Sequence, residues 1–159
     1  MIAYVEGRLA QVWGNTALVV TQGGVGYAVG LPAHTLASLP GRGEAVAFYT
    51  SLAVREDALE LFGFASFEER QTFEVLVSIS KVGARTALGI LSIFRPDDLR
   101  RLVLEDDVLA LTRVSGIGKK TAQRLAFYLL DMPEEQAKSF ADSILEAKKA
   151  IHNCKVCQN

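Results

Sequence analysis

The hydrophobic rhythm of the chain changes once, near residue 65. Before that point apolar and β-branched positions come in short runs punctuated by glycine. "IAYVEGRLAQVW", "EAVAFYTSLAVRED" and "ALELFGF" read as strands. "TALVVTQGGVGYAVGLP" reads as two strands around a turn at Gly23-Gly24. Five strands with glycine-rich turns and almost no helical spacing predict a small OB-like β-barrel over residues 1–64.

From residue 65 the period lengthens. In "SFEERQTFEVLVSI", Phe67, Phe73, Leu76 and Val77 fall near helical spacing, and Ser66 precedes them as an N-cap. "RTALGILSIF" is a second helix. Pro96 then opens "PDDLRRLVLE", because a proline at the first helical position loses no hydrogen bond. "DDVLALTRV" and "QRLAFYLLD" continue the pattern, so residues 65–131 are expected to be all helical. A last helix, "PEEQAKSFADSILEAKKAI", and the tail "HNCKVCQN" fill residues 132–159. The predicted class is thus multi-domain β + α.

The helical part contains a repeat. Laying Gly83 over Gly118 brings "ISKVGARTALGI" (79–90) onto "VSGIGKKTAQRL" (114–125). Ser80 then matches Ser115, Val82 matches Ile117, Arg85 matches Lys120, Thr86 matches Thr121 and Ala87 matches Ala122. Two related hairpins 35 residues apart point to one helical domain built by duplication.

The chemistry of each hairpin follows from its turn. A helix that starts just after a short turn exposes its first N–H groups, and its dipole favours an anion there. Gly116 and Gly118 let a phosphate approach the backbone, and Ile117 can anchor the turn between its helices. Lys119 and Lys120 add positive charge beside it. Nothing in this arrangement reads bases, so the expected grip is on the DNA backbone. The predicted DNA-binding set is Lys81, Val82, Gly83, Arg85 and Thr86 in the first hairpin. In the second it is Ser115, Gly116, Ile117, Gly118, Lys119, Lys120 and Thr121. For a single copy, an ordinary glycine-rich turn with exposed lysines explains the residues equally well; the duplication favours DNA, since paired hairpins can hold both strands across a minor groove. Lys81 stands where the second copy has Gly116, and a positive φ at that position costs a non-glycine about 1–2 kcal/mol.

Charge agrees with this placement. The whole chain has a formal charge of −1. Between Lys81 and Arg124, however, nine Lys or Arg face five Asp or Glu, a net of +4. Residues 1–64 hold three Arg against five acids, a net of −2. With half its residues hydrophobic, the 159-residue chain can build a sizeable core. It has no run long enough to span a bilayer and no secretion signal at its start, which predicts a cytoplasmic protein without a membrane partner.

The hairpin pair behind a small barrel resembles the RuvA family, the Holliday-junction-binding subunit of the bacterial branch-migration machine. The similarity runs through "MIAYVEGRL", "GGVGYAVGLP", "VREDALELFGF" and both hairpins, about residues 1–125. It implies a homotetramer on a four-way junction in DNA recombination and repair, partnered by a hexameric RuvB-type ATPase motor. It also implies that Glu56 and Asp57 form an acidic pin at the crossover, where their carboxylates repel phosphates and help part the strands. On the residues alone, Glu56-Asp57 is a solvated turn.

Residues from about 114 to 159 depart from that family and resemble the helix-hairpin-helix region of RecR, a recombination mediator that continues into a four-cysteine zinc finger. The expectation is a composite or truncated chain lacking the third domain that meets the motor. Structural zinc takes four ligands. Cys154 and Cys157 supply half a site and His152 a poor third, so two free thiols in the tail are favoured, with weak metal capture between chains as the alternative. No metal or other cofactor is expected.

Other features carry less. Gly23-Gly24-Val25-Gly26 precedes a strand, so it fails the context test for a dinucleotide loop. Trp13 and Tyr27 suit a base-stacking platform, although barrel core or a subunit contact is favoured for both. No GxxxxGK[ST] loop exists, so this chain is not the motor, and His34 and His152 lack a catalytic constellation. Two functional alternatives remain beside the junction binder. One is a RecR-like mediator fragment. The other is a helix-hairpin-helix glycosylase, weakened because Asp131 and Asp142 are the only downstream aspartates and Asp131 falls near a helix end.

Overall fold

A computed structural model describes residues 1–55 and 58–104, together with Gly118 and Ala122. The first part is a closed five-stranded barrel, consistent with the OB-like expectation. Its strands are β1 (Tyr4–Trp13), β2 (Thr16–Val20), β3 (Gly26–Gly30), β4 (Ala45–Val54) and β5 (Leu59–Phe64). Their order around the barrel is β1-β2-β3-β5-β4. The long β1 closes it, pairing with β4 through Tyr4 to Arg8 and with β2 through Arg8 to Trp13. A register shift between Leu9 and Gln11 bends the strand from one partner to the other. Only β3 and β5 run parallel.

The turn at Gly23-Gly24 forms where the sequence puts it. Gly24 takes φ +82° and its N–H donates to the Thr21 carbonyl at 2.9 Å. One element departs from the expected pattern: a five-residue helix, α1 (Ala33–Ala37), follows Pro32 between β3 and β4. Five residues are too few to display helical periodicity.

Three further helices follow: α2 (Phe67–Ser78), α3 (Ala84–Ile93) and α4 (Pro96–Leu104). Ser66 caps α2 as expected, its hydroxyl accepting from the Glu69 N–H at 3.1 Å. Glu69 reaches back past the cap and accepts from the Ala65 N–H at 3.1 Å. Phe73 and Leu76 are buried on this helix, whereas Phe67 and Val77 stay exposed.

The apolar stretch from Leu61 to Phe64 in β5 has a specific reason. Successive strand residues point to opposite faces, and β5 is covered on both. Leu61 joins the barrel core with Val29, Leu31 and Phe48. Phe62 and Phe64 turn the other way, into a second core with Phe73, Leu76, Leu88 and Leu91. Gly63 faces the barrel, where an added Cβ would lie 2.5 Å from Val29 Cγ1. Thus β5 is a shared wall, and fully burying each phenylalanine on its helical side contributes about 1.5–3 kcal/mol. Polar contacts fasten the same junction: His34 Nε2 lies 2.9 Å from Glu69 Oε1, and the Ala33 N–H donates to Ser92 Oγ at 3.1 Å.

Candidate nucleic-acid interface

The first hairpin is the turn between α2 and α3. The Val82 N–H donates to the Ile79 carbonyl at 3.0 Å, closing a tight turn with Ser80 and Lys81 at its centre. Lys81 takes φ +72° and is the only non-glycine with positive φ among the described residues. A positive φ at the third turn position marks a type II turn, which ordinarily calls for glycine. The second copy does carry glycine at the matching place, Gly116. The backbone requirement inferred from the repeat is therefore real, and Lys81 bears its strain.

Val82 is 5% exposed and packs with Phe73, Leu76, Ile79 and Ala87. It anchors the turn between its two helices and so faces the core, away from any ligand. Gly83 caps α3 from extended backbone with no side-chain bond, and a Cβ there would meet only Arg55 Nη2, at 3.8 Å. The first-turn N–H groups of Ala84, Arg85 and Thr86 have no acceptor among the described residues. Lys81, Gly83 and Arg85 are exposed and Thr86 is half-buried. The turn therefore presents one ammonium and one guanidinium to solvent, beside first-turn N–H groups that have no acceptor among the described residues.

Arg85 is less free than the sequence implies. Its Nη2 and Nε donate to Glu60 Oε1 at 2.7 and 3.1 Å. Those bonds and the carboxylate charge raise its pKa further, so it stays cationic at any working pH. Arg55 Nη2 stands 3.9 Å from the other Glu60 oxygen. Two guanidiniums around one carboxylate leave a net positive patch beside Gly83. Neither Glu60 nor Arg55 stood out in the sequence, because contacts between residues 25 positions apart leave no local signal.

The second hairpin is represented by Gly118 and Ala122, and both match their counterparts. The Ala122 N–H donates to the Gly118 carbonyl at 3.0 Å, and the Ala87 N–H donates to the Gly83 carbonyl at 2.9 Å. Ala87 and Ala122 are 0% and 1% exposed and lie in the same core. Gly118 is exposed, with nothing within 4 Å of where a Cβ would sit. Ser115, Gly116, Ile117, Lys119, Lys120 and Thr121 lie outside the described residues, as do Glu56, Asp57, Cys154 and Cys157. Among the described residues no group of three His, Cys, Asp or Glu is placed to hold a metal. No described helix is long and apolar enough to cross a membrane.

Trp13 corrects one of the two favoured expectations, barrel core, and leaves the subunit contact. It is 47% exposed and so belongs to no barrel core, because it ends β1 at the rim of the barrel. Tyr27 is half-buried and packs against the barrel core.

The family model described as the RuvA N-terminal domain matches residues 1–63. A second family model, the helix-hairpin-helix of RecR, matches residues 107–148. Among curated relatives, the Holliday junction branch migration complex subunit RuvA of Nitratidesulfovibrio vulgaris (strain DSM 19637 / Miyazaki F) is 74% identical over 125 residues, covering 79% of this chain and 62% of that protein. The RuvA of Oleidesulfovibrio alaskensis is 66% identical over 129 residues, covering 81% and 64%. That of Neisseria meningitidis (serogroup C, strain FAM18) is 45% identical over 129 residues, covering 81% and 66%. The chain thus spans a little under two thirds of these RuvA proteins. Both resemblances read from the sequence are borne out: RuvA over about the first 125 residues, and RecR toward the C-terminal end.

Proposed function

We propose that this chain binds four-way DNA junctions through their phosphate backbones, without reading sequence, as the non-motor subunit of a branch-migration complex. The observation that carries this reading is the α2–α3 turn. Lys81 is held at φ +72°, Val82 is locked into the core, and the first amides of α3 are open beside Lys81 and Arg85. An ordinary connection has no need of a strained lysine. A phosphate seat needs its ammonium and its neighbouring amides aimed together. The repeated bond at Gly118 and Ala122 supports a second seat of the same build, forming a tandem helix-hairpin-helix domain over 65–131.

The assembly follows from the same reading. Four copies around a junction set one hairpin pair on each arm, with Glu56 and Asp57 as pins at the crossover and a hexameric ATPase supplying movement. The relatives named as branch-migration subunits support this. The match of residues 107–148 to RecR favours a second reading, a mediator that binds DNA without preferring junctions.

One experiment separates the two. Gel shifts compare a four-way junction with a linear duplex of the same sequence, beside a solution mass of the protein. A junction binder prefers the junction and has the mass of a tetramer. Equal affinity for both DNAs refutes the junction reading and leaves the mediator.

A further inference from the structure

A cleft of about 540 Å³ lies between the barrel rim and the first turn of α3. Trp13, Asn15 and Thr16 line one side, from the β1–β2 connection, and Leu59 and Glu60 line another, from the start of β5. Arg85 closes it from the hairpin. The DNA grip described above uses amides and charges and has no role for these apolar groups. Yet Trp13 is 47% and Leu59 73% exposed, two large apolar side chains left at one opening. Such surfaces on a soluble domain mark a binding site more often than chance.

We propose that this cleft takes an unpaired nucleotide of the bound DNA, its base stacked against the Trp13 indole and its phosphate facing Arg85. The inference rests on the nucleic-acid reading of the α2–α3 hairpin. Three features choose this occupant. An indole face at the mouth of a cleft stacks any base, because every base offers a π-face. A cation stands in the cleft wall: the Arg85 guanidinium, 79% exposed, is held there by Glu60 at 2.7 Å. The site is also continuous with the phosphate seat, since Arg85 belongs to the first turn of α3 and lines the cleft as well. Five-stranded barrels of this type offer the same region, between the β1–β2 and β4–β5 loops, to oligonucleotides. The volume lies within the range of ordinary small-ligand sites, enough for one nucleotide. In a paired duplex the bases are stacked inside and cannot enter, so the cleft adds affinity only where strands are parted.

Trp13 is the one tryptophan of the chain, so its emission reports the site directly. The intact protein is titrated with a short oligothymidylate and, separately, with a mixed-sequence linear duplex. Tryptophan emission and anisotropy of labelled DNA are followed together. Oligothymidylate is expected to quench Trp13 saturably, and the linear duplex to bind with little quenching. Trp13→Ala should weaken oligothymidylate binding by roughly 5- to 150-fold, the loss of one stacked base, and leave duplex affinity unchanged. Trp13→Phe should restore most of the loss. The proposal is overturned if oligothymidylate fails to bind or binds without quenching. It is equally overturned if Trp13→Ala weakens duplex binding as much, or if that variant instead lowers the mass of the protein in solution, which assigns the cleft to a second copy of the chain. Loss of junction preference with Trp13 quenching intact would remove the branch-migration reading and keep this one.

Discussion

Replacing Lys81 separates the two properties its position combines. At φ +72° the Cβ crowds its own backbone, which costs about 1–2 kcal/mol for a residue other than glycine. Glycine removes that strain but loses about 0.5–1 kcal/mol through its freer unfolded chain. Lys81→Gly is thus expected to exceed Lys81→Ala in stability by about 0.5–1 kcal/mol. For a chain of this size that is about 1–4 °C in Tm. Both variants lose the same ammonium, so they should bind DNA alike. Each should weaken duplex affinity and lower the slope of log affinity against log salt by about 0.9, the release of counterions from one phosphate. Urea unfolding and anisotropy across a salt series measure the two effects independently. If Lys81→Ala proves as stable as Lys81→Gly, the turn does not enforce its conformation. If the salt slope of both equals that of the parent, Lys81 touches no phosphate.

Three further outcomes are expected. Gly63→Ala should destabilise the fold by about 1–3 kcal/mol in urea, because its methyl would sit 2.5 Å from Val29 Cγ1 and 3.1 Å from Phe48 Cβ; Gly23→Ala, with open space around it, should stay within about 0.5 kcal/mol. Lys119→Glu combined with Lys120→Glu should weaken binding to every DNA tested and flatten its salt dependence, and an unchanged slope would exclude the second hairpin from the interface. Glu56→Lys with Asp57→Lys should leave junction affinity intact or higher while changing how the junction opens, as read by fluorescence between labelled arms; a large drop in affinity would contradict the pin.

Much of this fold was legible because its signals are local. Ser66 and Pro96 mark helix starts through chemistry confined to one turn, and Gly23-Gly24 marks a hairpin through its own backbone freedom. The repeat also carried real geometry, since the alignment of Gly83 with Gly118 returns the same backbone bond in both copies. What escaped was long-range. Glu60 reads as a polar strand position until β5 and α3 come together. Trp13 reads as barrel core or subunit contact in the sequence, and the core reading fails because burial depends on where β1 ends against its neighbours. The five residues of α1 form a helix through Pro32 and packing rather than through a pattern of their own.

A grip that ignores base sequence faces a selection problem, because linear duplex carries the same phosphates as a junction. Preference for one over the other has to come from where the seats are held. That makes the double-sided β5 central to function as well as stability. Phe62 and Phe64 place α2 and α3 against the barrel in one core that also holds Val82 and Ala122. Turning the hairpin relative to the barrel would require repacking that core, and packed cores shift between discrete arrangements rather than deforming smoothly. The exposed side of the turn, with Lys81, is therefore fixed relative to β5 and the Trp13 rim. Phosphate seat and cleft meet at Arg85 and are carried by one packed unit, so on the proposed reading their fixed placement, which no single residue encodes, is what would tell parted strands from paired ones.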